Sequence, residues 1–226
     1  MAVRDLELEV LCGRITGLVG PNGAGKTTTL RLAAGLVRAH QGLVTVLGVD
    51  PGRRPTAARR SLGFLPDRPQ LPAHLTPREL LRLRAALYDL SAARSTERTA
   101  ALALELGIES LLDRWCRVLS HGQAQRVALA SVLISEPRLL LVDEPMTALD
   151  LEAQMQVRSA LRSRADAGSA VVITTHTVSH VAALADHVVH LRDGRVAGER
   201  DGTRDAEELE RWLLQDPVAV RDGPCR

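Results

Sequence analysis

Gly20-Pro21-Asn22-Gly23-Ala24-Gly25-Lys26-Thr27 decides the fold of this 226-residue chain. The stretch fits G-x-x-x-x-G-K-[ST], the pattern of a loop that cradles phosphate groups. Each residue type has a task in it. Glycines let successive backbone N–H groups turn inward where a side chain would strike the phosphates, the ammonium adds compact positive charge, and the hydroxyl can ligate magnesium. Composition sharpens the reading, because Lys26 is the only lysine among 29 basic residues. A slim ammonium slips between phosphates where a planar guanidinium does not.

Outward from the loop, Ile15 to Val19 is a short apolar run, and Lys26 to Val37 carries Leu30, Ala33, Ala34 and Val37 at helical spacing. Strand, Gly-rich loop and helix in that order put a helix N-terminus, with its free N–H groups and partial positive charge, beside the phosphates. Upstream, Leu6-Glu7-Leu8-Glu9-Val10 alternates apolar and acidic and predicts a half-buried strand. A second strand is predicted over Leu43 to Leu47, closed by Gly48 and the Asp50-Pro51-Gly52 turn. From 67 to 135 the character is helical: Thr76-Pro77 starts one helix, Glu79 to Leu90 is rich in Leu, Arg and Ala, and Glu97 to Leu106 forms another. After Pro137 the strand pattern returns.

Three apolar strands each end in polar groups. Ile15 to Val19 leads to Lys26 and Thr27, Leu139 to Val142 ends in Asp143-Glu144, and Val171 to Ile173 ends in Thr174-Thr175-His176. In open α/β sheets the carboxyl edge binds the ligand, so these groups are expected to converge on one triphosphate. Thr27 and Asp143 are candidate magnesium ligands, and Glu144 can orient and deprotonate an attacking water. His176 can bond the terminal phosphate or hold Glu144 and the water in line. Ser120, before the helical run Gln125 to Ile134, is a natural N-cap, and Gly122 leaves first-turn N–H groups open. That stretch is either an ordinary cap or a second anion-binding helix terminus.

The net charge of +2 and the scatter of arginines through both halves give no case for a nucleic-acid partner. Arg53-Arg54 and Arg59-Arg60 form the densest basic cluster, read as a solvated segment, with an anionic partner or membrane headgroups as the alternative. Cys12, Cys116 and Cys225 are widely spaced and odd in number, which suits a reducing compartment and not a zinc site. No apolar run approaches the ~18 residues of a membrane helix, and the start carries no apolar targeting segment. The tail reads as a short helix over Asp205 to Leu214 with Asp205 and Glu208 in a capping-box pattern, Trp212 packed on the core, and an unpacked end around Pro217 and Gly223 to Cys225.

GPNGAGKTT (Gly20 to Thr28), LSHGQAQRVALA (Leu119 to Ala130), LLLVDEP (Leu139 to Pro145), TALD (Thr147 to Asp150) and TTH (Thr174 to His176) follow one another in register. In this combination the chain resembles an ABC ATPase nucleotide-binding domain over roughly residues 5 to 200. The resemblance implies an α/β P-loop NTPase core (1–66 and 136–200) with a mainly parallel sheet and a small antiparallel β part at the N-terminus. It also implies an inserted helical signature subdomain (67–135) and a C-terminal helix and tail (201–226). ATP and Mg2+ would be the cofactors, with Gly20 to Thr28 holding the phosphates and Lys26, Glu144 and His176 catalytic. Two copies, identical or different, would join head to tail over two ATP molecules. The signature residues Ser120, Gly122 and Gln123 would then meet the other copy's ATP, and Asp150 would belong to the loop crossing the interface. A single cassette without a fused span resembles subunits that serve a separate permease at the cytoplasmic face of the membrane. Gly63-Phe64-Leu65-Pro66 is most like the exporter branch.

Three positions depart from the family pattern. No Phe, Tyr or Trp precedes Phe64, so the adenine-stacking aromatic is missing. Asp67 stands where the family often has a magnesium-ligating glutamine, and is the third candidate metal ligand. His121 replaces the first signature glycine. Two functions follow: an ATP-hydrolysing transporter motor, or a degenerate regulatory subunit that binds nucleotide with little turnover of its own; a third, a non-transport role in repair or translation, has little support in the sequence.

Overall fold

The computed structural model describes residues 3–215. Ile15–Val19 (β1), Leu139–Asp143 (β3) and Ala170–Thr175 (β4) are buried at every position, as strands covered on both faces must be. With Leu62–Leu65 (β2), His187–Arg192 (β5) and Arg195–Asp201 (β6) they form one sheet in the order β2-β3-β4-β1-β5-β6. The first five of these run parallel, and β6 is antiparallel to β5. Alternate residues of one strand serve opposite faces. Ile15, Leu140, Val142, Val171 and Ile173 belong to one apolar cluster, whereas Leu18, Leu139, Leu141 and Val172 belong to another.

The first cluster is closed by Pro77–Leu87 (α3), Ala92–Glu105 (α4), His121–Leu133 (α5) and Leu151–Asp166 (α6), through residues such as Leu81, Leu102, Leu129 and Leu161. The second is closed by Lys26–Ala33 (α1) through Leu30. Pro55–Arg59 (α2) is a single short turn. Val178–Leu184 (α7) and Ala206–Leu214 (α8) share a third cluster with Val19 and Val188, and Trp212 packs half-buried against it. Between 67 and 135 the chain contains helices and no strand. Local sequence explains the helix starts: Thr76 and Glu79 form a reciprocal capping box with Pro77 at the first position, and Ser91 caps α4.

The sheet is mainly parallel, as expected, but its antiparallel pair lies at the C-terminal end and not at the N-terminus. Asp193 and Gly194, both with positive φ (50° and 79°), supply the two-residue turn that folds β6 back on β5. Leu6 to Val10 forms no strand. Its alternation survives in burial, with Leu6, Leu8 and Val10 half-buried against the second cluster and Glu7 and Glu9 exposed, but no strand among the described residues pairs with it. Leu43 to Leu47 also forms no strand; only a single bridge joins Val46 to Val49 around Leu47-Gly48, both at positive φ. α1 stops at Ala33, short of Val37, because Gly35 adopts φ 65° and a Cβ there would lie 2.6 Å from the Pro51 carbonyl oxygen. In the tail, Asp205 caps α8, but Glu208 bonds Thr203 and Arg200 and does not complete a capping box. Pro217 and Gly223 to Cys225 lie outside the described residues.

Candidate active site

Parallel pairing brings the ends of β1, β3 and β4 to one edge, with Val19 opposite Thr175 and Asp143 opposite Thr174. The 20–25 loop leaves β1 at that edge, between β4 and β5, where the strand order reverses. Gly25 is the N-cap of α1 at φ 104°, a left-handed conformation natural to glycine, and no side chain caps the helix. The first-turn N–H groups therefore face the edge without a side-chain acceptor. Gly20 is equally constrained, since a Cβ there would stand 2.1 Å from the Leu191 carbonyl oxygen.

Lys26 is 8% exposed and folds back so that Nζ donates to the carbonyls of Gly20 (2.6 Å) and Pro21 (3.1 Å). Burial lowers its pKa, opposed by the charges of Glu144 and Asp143. Thr27 Oγ1 donates to Asp143 Oδ2 at 2.8 Å, and Thr174 Oγ1 donates to Asp143 Oδ1. Asp143 is thus a buried carboxylate held between two hydroxyls. A hydroxyl and a carboxylate oxygen side by side suit a hard cation such as Mg2+. Among the described residues no three His, Cys, Asp or Glu side chains form a metal cluster, so Asp67 lines the same cleft without joining Asp143 and Glu144 in one.

Glu144 follows β3 in a strained backbone, φ 49°, for which a non-glycine residue needs support. Support comes from three sides. Its N–H donates to the Thr174 carbonyl at 3.0 Å, and its Oε1 accepts from the His176 N–H at 3.0 Å and lies 2.8 Å from His176 Nδ1. Thr147 Oγ1 donates weakly to Oε2 at 3.4 Å. His176 itself is exposed, leaving Nε2 available to a ligand.

These groups enclose a cleft of about 820 Å³, lined by Asn22 to Thr28, Asp67, Asp143, Glu144 and His176. Gly20 and Pro21 act behind the wall through the carbonyls that hold Lys26. Ser120, Gly122, Gln123 and Asp150 are not part of the wall. Ser120 and Gln123 form a reciprocal capping box at the start of α5, and Asp150 caps α6 by accepting from the Ala153 N–H at 2.8 Å. Sequence reasoning missed Arg68 and Pro69, and named His121 and Thr147 within motifs without assigning them to the cleft that all four line. Thr147, three residues after Glu144 in the turn leaving β3, could have been found from that spacing. It also missed His180 on α7, whose pKa burial lowers; the Glu144 charge opposes this, while Arg158 and His176 add to it. A second cleft of about 910 Å³ lies between the N-terminal segment, α1 and the sheet face. Neither cleft is lined by Phe, Tyr or Trp.

A protein-family model described as ABC transporter matches residues 3–147. The molybdenum import ATP-binding protein ModC of Mycobacterium tuberculosis (strain ATCC 25618 / H37Rv) is 39% identical over 203 residues, 85% of this chain and 55% of the relative. The Nod factor export ATP-binding protein I of Cupriavidus metallidurans is 36% identical over 199 residues, 88% of this chain and 66% of the relative. The chain therefore spans about half to two thirds of the length of these relatives. A solved structure of a dimeric ATP-binding cassette in a post-hydrolysis state, bound to ADP and Pi, superposes with a TM-score of 0.81 at 25% identity, covering 88% of this chain and 90% of that one.

Proposed function

The chain belongs to the ABC transporter family of ATP-binding cassettes, and on that premise we propose that it binds ATP with Mg2+ in the cleft beneath the 20–28 loop and hydrolyses it to drive a separate membrane permease. The observation that carries this reading is the supported Glu144. A carboxylate held by His176 on a strained backbone, beside a buried lysine and a hydroxyl–carboxylate pair, is a preorganised base for an attacking water.

On this reading Lys26 exchanges the Gly20 and Pro21 carbonyls for phosphate oxygens, joined by the N–H groups of the loop. Thr27 and Asp143 would hold the magnesium, with Asp67, which lines the same cleft, as the third candidate; the metal's contribution would be to neutralise charge building on the phosphates. Glu144 takes the proton from water as its oxygen attacks the terminal phosphorus and the bond to the departing ADP breaks. His176 keeps Glu144 in place through Nδ1 and presents Nε2 to the terminal phosphate.

Ser120, Gly122 and Gln123, carried by the helical unit 67–135, together with Asp150, would act on a second copy's nucleotide. Their absence from their own cleft wall supports that, as does the dimeric cassette among the structural relatives. No helix among the described residues is long and apolar enough to cross a membrane. On this reading the chain works at the inner face of the membrane against a permease, as an ATP-binding subunit of a transporter does. We read the direction as export, from the Gly63 to Pro66 stretch. The intact Thr27–Asp143 and Glu144–His176 pairs favour turnover over a degenerate regulatory subunit. Phosphate release by the purified full chain with Mg2+ and ATP tests it. Turnover should vanish in Lys26→Ala, and light scattering should show an ATP-dependent dimer; a wild-type chain that binds ATP but never releases phosphate, alone or with its permease, overturns the motor reading.

A further inference from the structure

We propose that the amino edge of the sheet carries a face that docks on an anionic lipid bilayer: unpaired arginines around α2 meet lipid phosphates, and exposed leucines at the ends of α1 and α3 enter the headgroup layer. This goes beyond the ATP reading and does not depend on it. Three elements meet at that edge. Arg60 and Ser61 lead from α2 into β2, and the Ser61 carbonyl accepts from the Leu139 N–H at 3.0 Å, at the start of β3 and opposite the carboxyl edge that forms the cleft. The end of α1 packs on the turn before α2, where a Cβ on Gly52 would lie 3.8 Å from Arg38 Cγ. The end of α3 reaches α2 as well, since Tyr88 Oη donates to the Arg59 carbonyl at 3.3 Å.

The charge of this face is one-sided. From Val10 to Pro66 seven arginines and Lys26 stand against a single acid, Asp50, in a chain whose net charge is only +2. Asp50 lies 3.4 Å from Arg53, whereas Arg54, Arg59 and Arg60 are exposed and form no ion pair among the described residues. Folding does not call for all of these cations. Arg31 and Arg84 sit in the last turns of α1 and α3, where a cation offsets the helix dipole, but Arg54 is the N-cap of α2, the end that repels one. Apolar side chains lie among them: Leu87, beside Tyr88, is 68% exposed, and Leu36, beside Gly35 and Val37, is 51% exposed. Arg54, Arg59 and Arg60 line neither cleft. Guanidinium groups spread over a surface with leucines between them fit a plane of phosphates above apolar chains, where a discrete anion would need a pocket.

Cosedimentation of the nucleotide-free full chain with phosphatidylcholine vesicles, with and without phosphatidylglycerol, tests this. Binding should require phosphatidylglycerol and fall away at about 1 M salt, where charges are screened within about 3 Å. Arg54→Gln/Arg59→Gln/Arg60→Gln should bind about a hundred-fold more weakly, from about five-fold per arginine, with unchanged thermal unfolding. Leu87→Gln should weaken binding about ten-fold at constant charge. Arg114→Gln/Arg117→Gln/Arg211→Gln, the same loss of charge on other elements, should bind as wild type does. A wild-type chain that stays in the supernatant, or equal losses in the two triple variants, overturns the proposal. So does binding that Leu87→Gln leaves unchanged and that soluble polyglutamate matches, which would assign the face to an acidic protein. Lys26→Ala should sediment like wild type, so a failure of the ATP reading leaves this result standing.

Discussion

Glu144→Gln isolates what the Glu144 carboxylate does, because glutamine keeps its shape. Gln Oε1 can still accept from the His176 N–H and Nδ1, which now sit at 3.0 and 2.8 Å, so the turn after β3 and its φ of 49° stay supported. What disappears is the charge and the basicity. A positioned general base contributes about 10²- to 10⁴-fold, equivalent to roughly 2.7–5.4 kcal/mol of barrier, so kcat should fall by that factor. Nucleotide affinity should hold or rise, since one of three carboxylates facing the phosphates is neutralised. The assay pairs steady-state phosphate release with equilibrium analogue binding, and thermal unfolding checks that Tm is unchanged. Release within a factor of two or three of wild type refutes the assignment of Glu144 as base; a large drop in Tm shows that the loss comes from the turn and not from the chemistry.

The remaining predictions concern stability and its pH dependence. Asp186 is partly buried, which opposes its charge, but hydrogen bonds from Arg162 and the Ile15 N–H and the charges of Arg162 and Arg204 outweigh this and lower its pKa. Its contribution is therefore complete above the ordinary aspartate range near ~4 and is lost as pH falls through the lowered folded value; Asp186→Asn should flatten that acid limb in denaturant titrations and cost about 2 kcal/mol at neutral pH. Gly63→Ala would place a Cβ 2.5 Å from Val132 Cγ1 and 3.0 Å from Pro137 Cγ, an overpacking worth about 1–3 kcal/mol, or a Tm lower by roughly 2–12 °C; an unchanged Tm would show that β2 and α5 separate freely.

Much of the candidate site was legible because its groups sit at fixed offsets from strand ends. Asp143, Glu144 and His176 follow apolar runs that only a doubly covered parallel sheet accommodates, and such a sheet lines up its carboxyl ends. Ser120 as an N-cap was likewise a local matter, needing only its own hydroxyl and the first turn of α5. The N-terminal strands were misread because alternation reports which face is buried and not whether a neighbour is present to pair; Leu6, Leu8 and Val10 bury their side chains without a ladder. The Asp193-Gly194 turn signal was present in the sequence, and it places the antiparallel pair that the expected fold put at the other end.

By itself the sequence determined the phosphate loop, its single lysine, the identity of the strand-end groups and the family. Those depend on short-range steric and hydrogen-bonding rules that hold wherever the segment folds. Only the tertiary structure decided that Glu144 is clamped by His176, that Lys26 rests on its own loop's carbonyls, and that His121 faces its own cleft while Ser120, Gly122 and Gln123 do not. Those outcomes arise where segments far apart in the chain press together, as Gly122 does on Ala148 and Leu149, and no local pattern encodes the direction in which one packed helix start presents its side chain to another loop.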